Sequence, residues 1–190
     1  MAVLAQRLER RTPIGEPLGR ISIPKIGAKF VFVSGTGEGS LKKGPGHYRD
    51  TVLPGQHGSV GIAGHRTTYL APFRDLDRVR RGDLLTLKMP YGVFTYRTEG
   101  SLVVPPSDAR PLRQMQHDRL VLTTCTPPFS AAKRLVVTGK LVSAVPVLAA
   151  RKVPAKRSSR PQVGFRNLRP KLIDADRGGL FAVPRAGHAR

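Results

Sequence analysis

The chain has 190 residues and a single cysteine, and 33 basic against 12 acidic residues give it a formal net charge of +21. This length supports a core of ordinary size, and one cysteine excludes an internal disulfide. There is no tryptophan, and the basic residues are not interleaved with aromatic ones, so a nucleic-acid partner is not expected. The charge leaves open an anionic membrane, another polyanion or a solvated surface.

The first eighteen residues are predicted to be a connector that precedes the main domain. Leu4 and Leu8 lie on one face of a short helix over residues 1–11, which Thr12-Pro13 would end. The charged residues follow a short apolar start, which is not the order of a secretory signal, and no apolar run is long enough to span a membrane. The sequence therefore predicts no membrane-spanning anchor among these residues.

From residue 19 the pattern changes to short strands. Ile21 and Ile23 alternate with a polar residue, and residues 29–33 and 59–63 are further apolar segments between glycine-rich turns. Residues 83–88 and 93–98 are predicted to form a hairpin around Met89-Pro-Tyr-Gly92.

One internal segment has a helical pattern. Phe73, Leu76 and Val79 have helical spacing, and Pro72 would stand in the first turn of a helix over residues 72–79.

Two more apolar segments, residues 120–122 and 135–137, bring the count to about eight strands. Many short strands with frequent glycine and proline predict an all-β fold, a barrel or a sandwich, over residues 19–145. Residues 146–190 lose this pattern, are basic and broken by proline, and are predicted to be a disordered tail.

Three side chains suggest a reaction. Cys125 ends one predicted strand, Arg134 begins the next, and His65 follows the strand over residues 59–63. A thiol attacks carbonyl groups as its thiolate, a histidine can supply the proton that a leaving amine needs, and an arginine can stabilise an oxyanion. Composition alone also allows Cys125 to be an inert buried thiol.

These residues stand in motifs that resemble those of the sortases, the cysteine transpeptidases of Gram-positive cell surfaces. The resemblance rests on Leu122-Thr-Thr-Cys-Thr126, on an arginine nine residues after the cysteine, and on Gly64-His65-Arg66 about sixty residues before it. The flanking Gly44-Pro-Gly-His-Tyr48 and Ala71-Pro-Phe73 look most like the actinobacterial class E branch. The resemblance covers residues 19–143 and implies a sortase-type eight-stranded β-barrel with a few short helices.

The resemblance also implies roles. Cys125 would be the nucleophile, His65 the general acid and base, and Arg134 the group that binds substrate and oxyanion. Thr124 would help to hold the substrate, and Tyr48 and His47 are weaker candidates for lining the substrate groove. No metal-ligand spacing is present, and no cofactor is expected.

The implied substrates are surface proteins that carry a C-terminal sorting signal, and the implied acceptor is an amine on a peptidoglycan precursor of the lipid II type. A sortase would lie on the extracellular face of the membrane, where the basic tail could contact anionic lipid or wall polymer. Two other functions stay open at this point: a basic binding module for an anionic polymer, and an unrelated cysteine and histidine peptidase.

Overall fold

The computed structural model describes residues 1–147, which form a closed β-barrel preceded by a helix. Around the barrel the strands follow the order β1-β2-β3-β4-β7-β8-β6-β5. Their bounds are β1 Pro17–Ile23, β2 Ala28–Ser34, β3 Gly46–His47, β4 Ser59–Ala63, β5 Leu84–Met89, β6 Gly92–Val104, β7 Arg119–Thr126 and β8 Lys133–Pro146. The predicted all-β fold is confirmed as an eight-stranded barrel.

The helices of this part of the chain are short. They are α1 Ala2–Arg11, α2 Glu38–Leu41 and three single 3₁₀ turns, Pro24–Ile26, Leu76–Arg78 and Arg110–Leu112. Within residues 1–147 no helix is long and apolar enough to cross a membrane.

Alternating side chains fill the barrel. Along β5, Leu85, Leu87 and Met89 are buried while their neighbours are exposed or half-buried, which is the pattern of a strand with one face on a core. β4 is buried along its whole length, because a strand with neighbours on both sides and loops over its outer face has no solvent side. The fully buried Phe32, Phe94 and Tyr96 complete the core.

The predicted helix at the N-terminus is present, and it packs against the barrel. Ala5 is fully buried within the main core, and Leu8 packs against that core. Strand β1 begins at Pro17, two residues before the predicted start of the domain at residue 19.

The helix predicted over residues 72–79 is wrong in extent, since the structure forms only the 3₁₀ turn Leu76–Arg78. Phe73, Leu76 and Val79 are buried as the pattern requires. Their spacing is three residues each time, which is the repeat of a 3₁₀ helix, whereas an α-helix needs a mixture of three and four.

The predicted basic tail lies outside the described residues except for its first two. Pro146 ends β8, and Val147 donates its backbone N–H to the Tyr91 carbonyl. The disorder of the tail and its contact with an anionic surface therefore stay predictions.

Candidate active site

Parallel pairing of β4 with β7 brings His65 and Cys125 to one rim of the barrel. The two strands run side by side in register from Ser59 opposite Arg119 to Ala63 opposite Thr123. Two positions beyond the last pair, one chain has left β4 while the other continues in β7, and because the strands are parallel both positions lie at the same end of the barrel. These residues are His65 and Cys125, so two predicted site residues meet although sixty positions separate them in the chain.

Two hydrogen bonds continue this pairing past the end of β4. The Gly64 backbone N–H donates to the Thr123 carbonyl at 3.0 Å, and the Thr124 hydroxyl donates to the Gly64 carbonyl at 2.7 Å. Thr124 is 2% exposed. Its hydroxyl thus fixes the backbone beside His65, and binding of substrate by Thr124 stays a prediction.

Arg134 joins the site from β8. It stands directly opposite Cys125 in the antiparallel pair β7–β8, and directly opposed side chains lie on the same face of a sheet. Its guanidinium donates to the carbonyls of Ala131 and Lys133, at 3.1 and 3.2 Å. The side chain is therefore held by its own loop.

Two cavities meet at His65 and Cys125. The barrel-side cavity, of about 270 Å³, is lined by the rim residues, which include Tyr48, His65, Thr123, Thr124, Cys125 and Arg134. The loop-side cavity, of about 290 Å³, is lined by the loops after β4 and β7, including His65, Arg66, Thr68, Cys125 and Phe129. A thiol and an imidazole therefore have access to two separate spaces.

One nitrogen of the His65 ring makes no hydrogen bond within the described part of the protein. This atom, Nε2, is buried. Burial lowers the pKa of His65, and the negative charge of Glu38 opposes this in part. The centroid of the ring lies 5.0 Å from that of the Tyr69 ring, and the two planes are tilted by 45°.

Tyr48 and His47 differ in their relation to the cavity. Tyr48 lines the barrel-side cavity, and its hydroxyl lies 2.8 Å from the Thr123 hydroxyl. His47 is 1% exposed, and its Nε2 lies 3.1 Å from the Val52 carbonyl oxygen. The expectation that His47 lines the groove is therefore wrong, because strand β3 directs its ring into the protein.

One buried residue at the site was not predicted. Arg66, beside His65, is 5% exposed and contacts the end of β7. In a chain with 33 basic residues, its position after His65 was the only signal available.

Among residues 1–147 no group of three or more His, Cys, Asp or Glu side chains could hold a metal ion.

Comparison with known proteins identifies the class that this fold and rim define. The family model described as Sortase domain matches residues 21–142. Sortase D of Bacillus subtilis is 38% identical over 135 residues, which are 68% of this chain and 66% of that protein. The chain therefore spans slightly less than two thirds of the length of this relative.

Solved structures of sortases are also similar to this chain. Sortase E1 of Streptomyces coelicolor, with a tripeptide in the active site, has a TM-score of 0.64 and 27% identity, covering 70% of this chain and 91% of that one. Clostridium perfringens Sortase D5, a transpeptidase, has a TM-score of 0.67 and 28% identity, covering 75% and 89%.

The closed barrel with a thiol, an imidazole and a guanidinium at one rim thus has the architecture of the sortases. The chain belongs to the sortase family. Relatives of class D and of class E both match this chain. The comparisons therefore show the sortase family but do not select the predicted class E within it.

Proposed function

We propose that this chain is a cysteine transpeptidase that cleaves a C-terminal sorting signal and joins the cleaved protein to an amine. The observation that carries the proposal is the placement of Cys125, His65 and Arg134 around one cavity. Family membership supports the reaction type, and the tripeptide bound in the Streptomyces structure supports a peptide as the ligand of the barrel-side cavity.

The first half of the reaction forms a thioester. The Cys125 thiolate attacks the carbonyl carbon of a threonine in a Leu-Pro-x-Thr-Gly or Leu-Ala-x-Thr-Gly signal, and Arg134 stabilises the oxyanion that develops. When the intermediate collapses, the bond between Thr and Gly breaks and the His65 imidazolium protonates the leaving glycine amine. The acyl group then remains on the Cys125 sulfur.

The second half transfers the acyl group. An acceptor amine, proposed to belong to a peptidoglycan precursor, approaches through the loop-side cavity and loses a proton to His65 as it attacks the thioester. A new amide forms, and the Cys125 thiolate leaves. Such an enzyme would work at the outer face of the cell membrane. The motifs around Tyr48 and Phe73 favour a class E enzyme within the family.

The test is cleavage of fluorogenic Leu-Ala-x-Thr-Gly and Leu-Pro-x-Thr-Gly peptides, with triglycine as the acceptor and products identified by mass spectrometry. We expect cleavage after threonine, a ligated product and a thioacyl adduct on Cys125. Cys125→Ala and His65→Ala should reduce turnover to background, and Arg134→Ala should reduce kcat by about 100- to 1,000-fold because an oxyanion donor is lost.

His117→Ala serves as the matched control, because this histidine is exposed and lies outside both cavities. Turnover that survives Cys125→Ala would refute the proposal. Cysteine-dependent cleavage elsewhere than after threonine would favour an unrelated peptidase, and polyanion binding without any cleavage would favour a binding module.

A further inference from the structure

Arg66 is a charged side chain that the reaction above does not use, and it is buried. It is 5% exposed, although arginine rarely leaves solvent unless it is paired. Its Nη2 lies 2.9 Å from the Asp77 carboxylate, which supplies the opposite charge from the 3₁₀ turn Leu76–Arg78. Burial of a charge costs free energy even when it is paired, so a role for this charge at the site has to be considered.

The guanidinium joins three segments of the chain. Its Nε donates to the Arg74 carbonyl at 3.3 Å, and its Nη1 donates to the Thr126 hydroxyl at 2.8 Å, with a longer contact to the Cys125 carbonyl at 3.5 Å. Together with the ion pair to Asp77, every nitrogen of the planar group has an acceptor. A planar fork with fixed donor directions can hold three acceptors in one geometry, which a lysine ammonium on a flexible stem does less well.

These contacts complete a bracket around the site, which we define as two ties between the loop after β4 and the end of β7. On one side, Thr124, the residue before Cys125, bonds to Gly64, the residue before His65. On the other side, Arg66, the residue after His65, bonds to Thr126, the residue after Cys125. Each catalytic residue therefore has its neighbours on both sides tied to the neighbours of the other.

We propose that Arg66 is a positioning residue, which with Asp77 holds the backbone of Cys125 and Thr126 at the distance from His65 that the reaction needs. The proposal rests on the proposed function for its kinetic consequence. Parallel β4–β7 pairing ends at Ala63 and Thr123, so beyond that point the bracket replaces the strand ladder in fixing the two segments. A displacement of the reacting groups by about 1 Å can cost about 100-fold in rate.

The test compares Arg66→Gln, Arg66→Lys and Asp77→Asn with Arg78→Gln, which changes an exposed arginine in the same 3₁₀ turn as Asp77. We expect Arg66→Gln to lower kcat by about 10- to 100-fold while KM changes by less than about threefold, because bound substrate would meet a misaligned pair. The kcat of Arg66→Lys should lie between those of Arg66→Gln and the wild type. Asp77→Asn should lower kcat less than Arg66→Gln does, and Arg78→Gln should have the kcat of the wild type.

A second variant covers the case in which Arg66→Gln does not fold. Thr126→Val removes the acceptor on β7 and leaves the Arg66 charge paired with Asp77, so it should also lower kcat. Where the double variant Arg66→Gln/Thr126→Val folds, its kcat should fall by less than the product of the two single factors, because both substitutions break the same tie. A folded Arg66→Gln or Thr126→Val protein with wild-type kcat, or a change confined to KM, overturns the proposal.

A measurement without substrate separates this proposal from the proposed function. Cys125 is the only cysteine, so protein labelled with ¹³Cβ-cysteine gives one resonance. We expect this resonance to shift or broaden in Arg66→Gln and Thr126→Val and to stay unchanged in Arg78→Gln. An unchanged resonance in all variants overturns the positioning role. Absence of peptide turnover by the wild type, with the resonance still responding, would refute the reaction and keep the positioning role.

Discussion

At the scale of single residues, His47 shows how a buried polar ring can support a turn that lines the site. Its Nε2 lies 3.1 Å from the Val52 carbonyl and 3.2 Å from the Thr51 hydroxyl. The Thr51 hydroxyl donates in turn to the Tyr48 carbonyl at 2.6 Å. The neutral His47 ring therefore stabilises the turn that carries Tyr48 into the barrel-side cavity.

This burial predicts a dependence of stability on pH. Burial lowers the pKa of His47 from 6.5 to about 4, so between these values the unfolded chain binds a proton that the folded protein does not. Stability from this residue is complete above pH 6.5 and is lost as the pH falls towards 4. The largest possible effect is about 3 kcal/mol in the free energy of unfolding.

Urea unfolding at several pH values checks this, with His47→Gln as the variant and the exposed His117→Gln as the control. His47→Gln should flatten the fall in stability below pH 6.5, because glutamine does not titrate, while His117→Gln should leave it steep. Equal slopes in the wild type and His47→Gln would show that other groups cause the acid sensitivity.

At the scale of elements, the loop after β4 depends on a close approach between Gly64 and Phe73. A Cβ atom on Gly64 would lie 2.5 Å from Phe73 Cδ2, closer than two carbon atoms can pack. Phe73 is fully buried, and its backbone N–H donates to the His65 carbonyl at 3.1 Å. Phe73 thus packs its ring against Gly64 and holds the His65 carbonyl with its backbone N–H.

Gly64→Ala should therefore destabilise the fold by about 1–3 kcal/mol and lower kcat, since Phe73 and the His65 backbone would have to move. Gly37→Ala is the control, because a Cβ there meets nothing within 4 Å. Chemical denaturation measures the change in the free energy of unfolding, and peptide turnover measures the change in kcat. Equal stability of the two variants would contradict the close packing inferred at Gly64.

The same elements explain what the sequence could and could not predict. The strand positions and the rim residues Cys125 and Arg134 could be predicted from the sequence, because alternation and motif spacing are local patterns. The parallel pairing of β4 with β7 is a long-range choice that no local pattern contains, so the tie between Thr124 and Gly64 could not be foreseen. Arg66 was missed for the same reason, because its acceptors come from distant segments.

At the scale of the whole molecule, the net charge is +21, and basic residues stand opposite other basic residues on neighbouring strands of the barrel. Lys140 on β8 stands opposite Arg97 on one side and Arg119 on the other, and Arg20 on β1 stands opposite Lys88 on β5. Directly opposed like charges destabilise a sheet. The barrel therefore folds in spite of its surface charge, with the core supplying the compensating free energy.

Reversing one of these charges should stabilise the protein. Lys140→Glu would place a carboxylate between Arg97 and Arg119, and we expect a gain of about 0.2–1 kcal/mol in the free energy of unfolding at low salt. Lys25→Glu, in an exposed 3₁₀ turn, makes the same change in net charge without an opposed partner in the sheet. Urea unfolding should show a larger gain for Lys140→Glu, and the difference should shrink towards 1 M salt, where the screening length is about 3 Å. Equal gains for both variants would instead assign the effect to net charge alone.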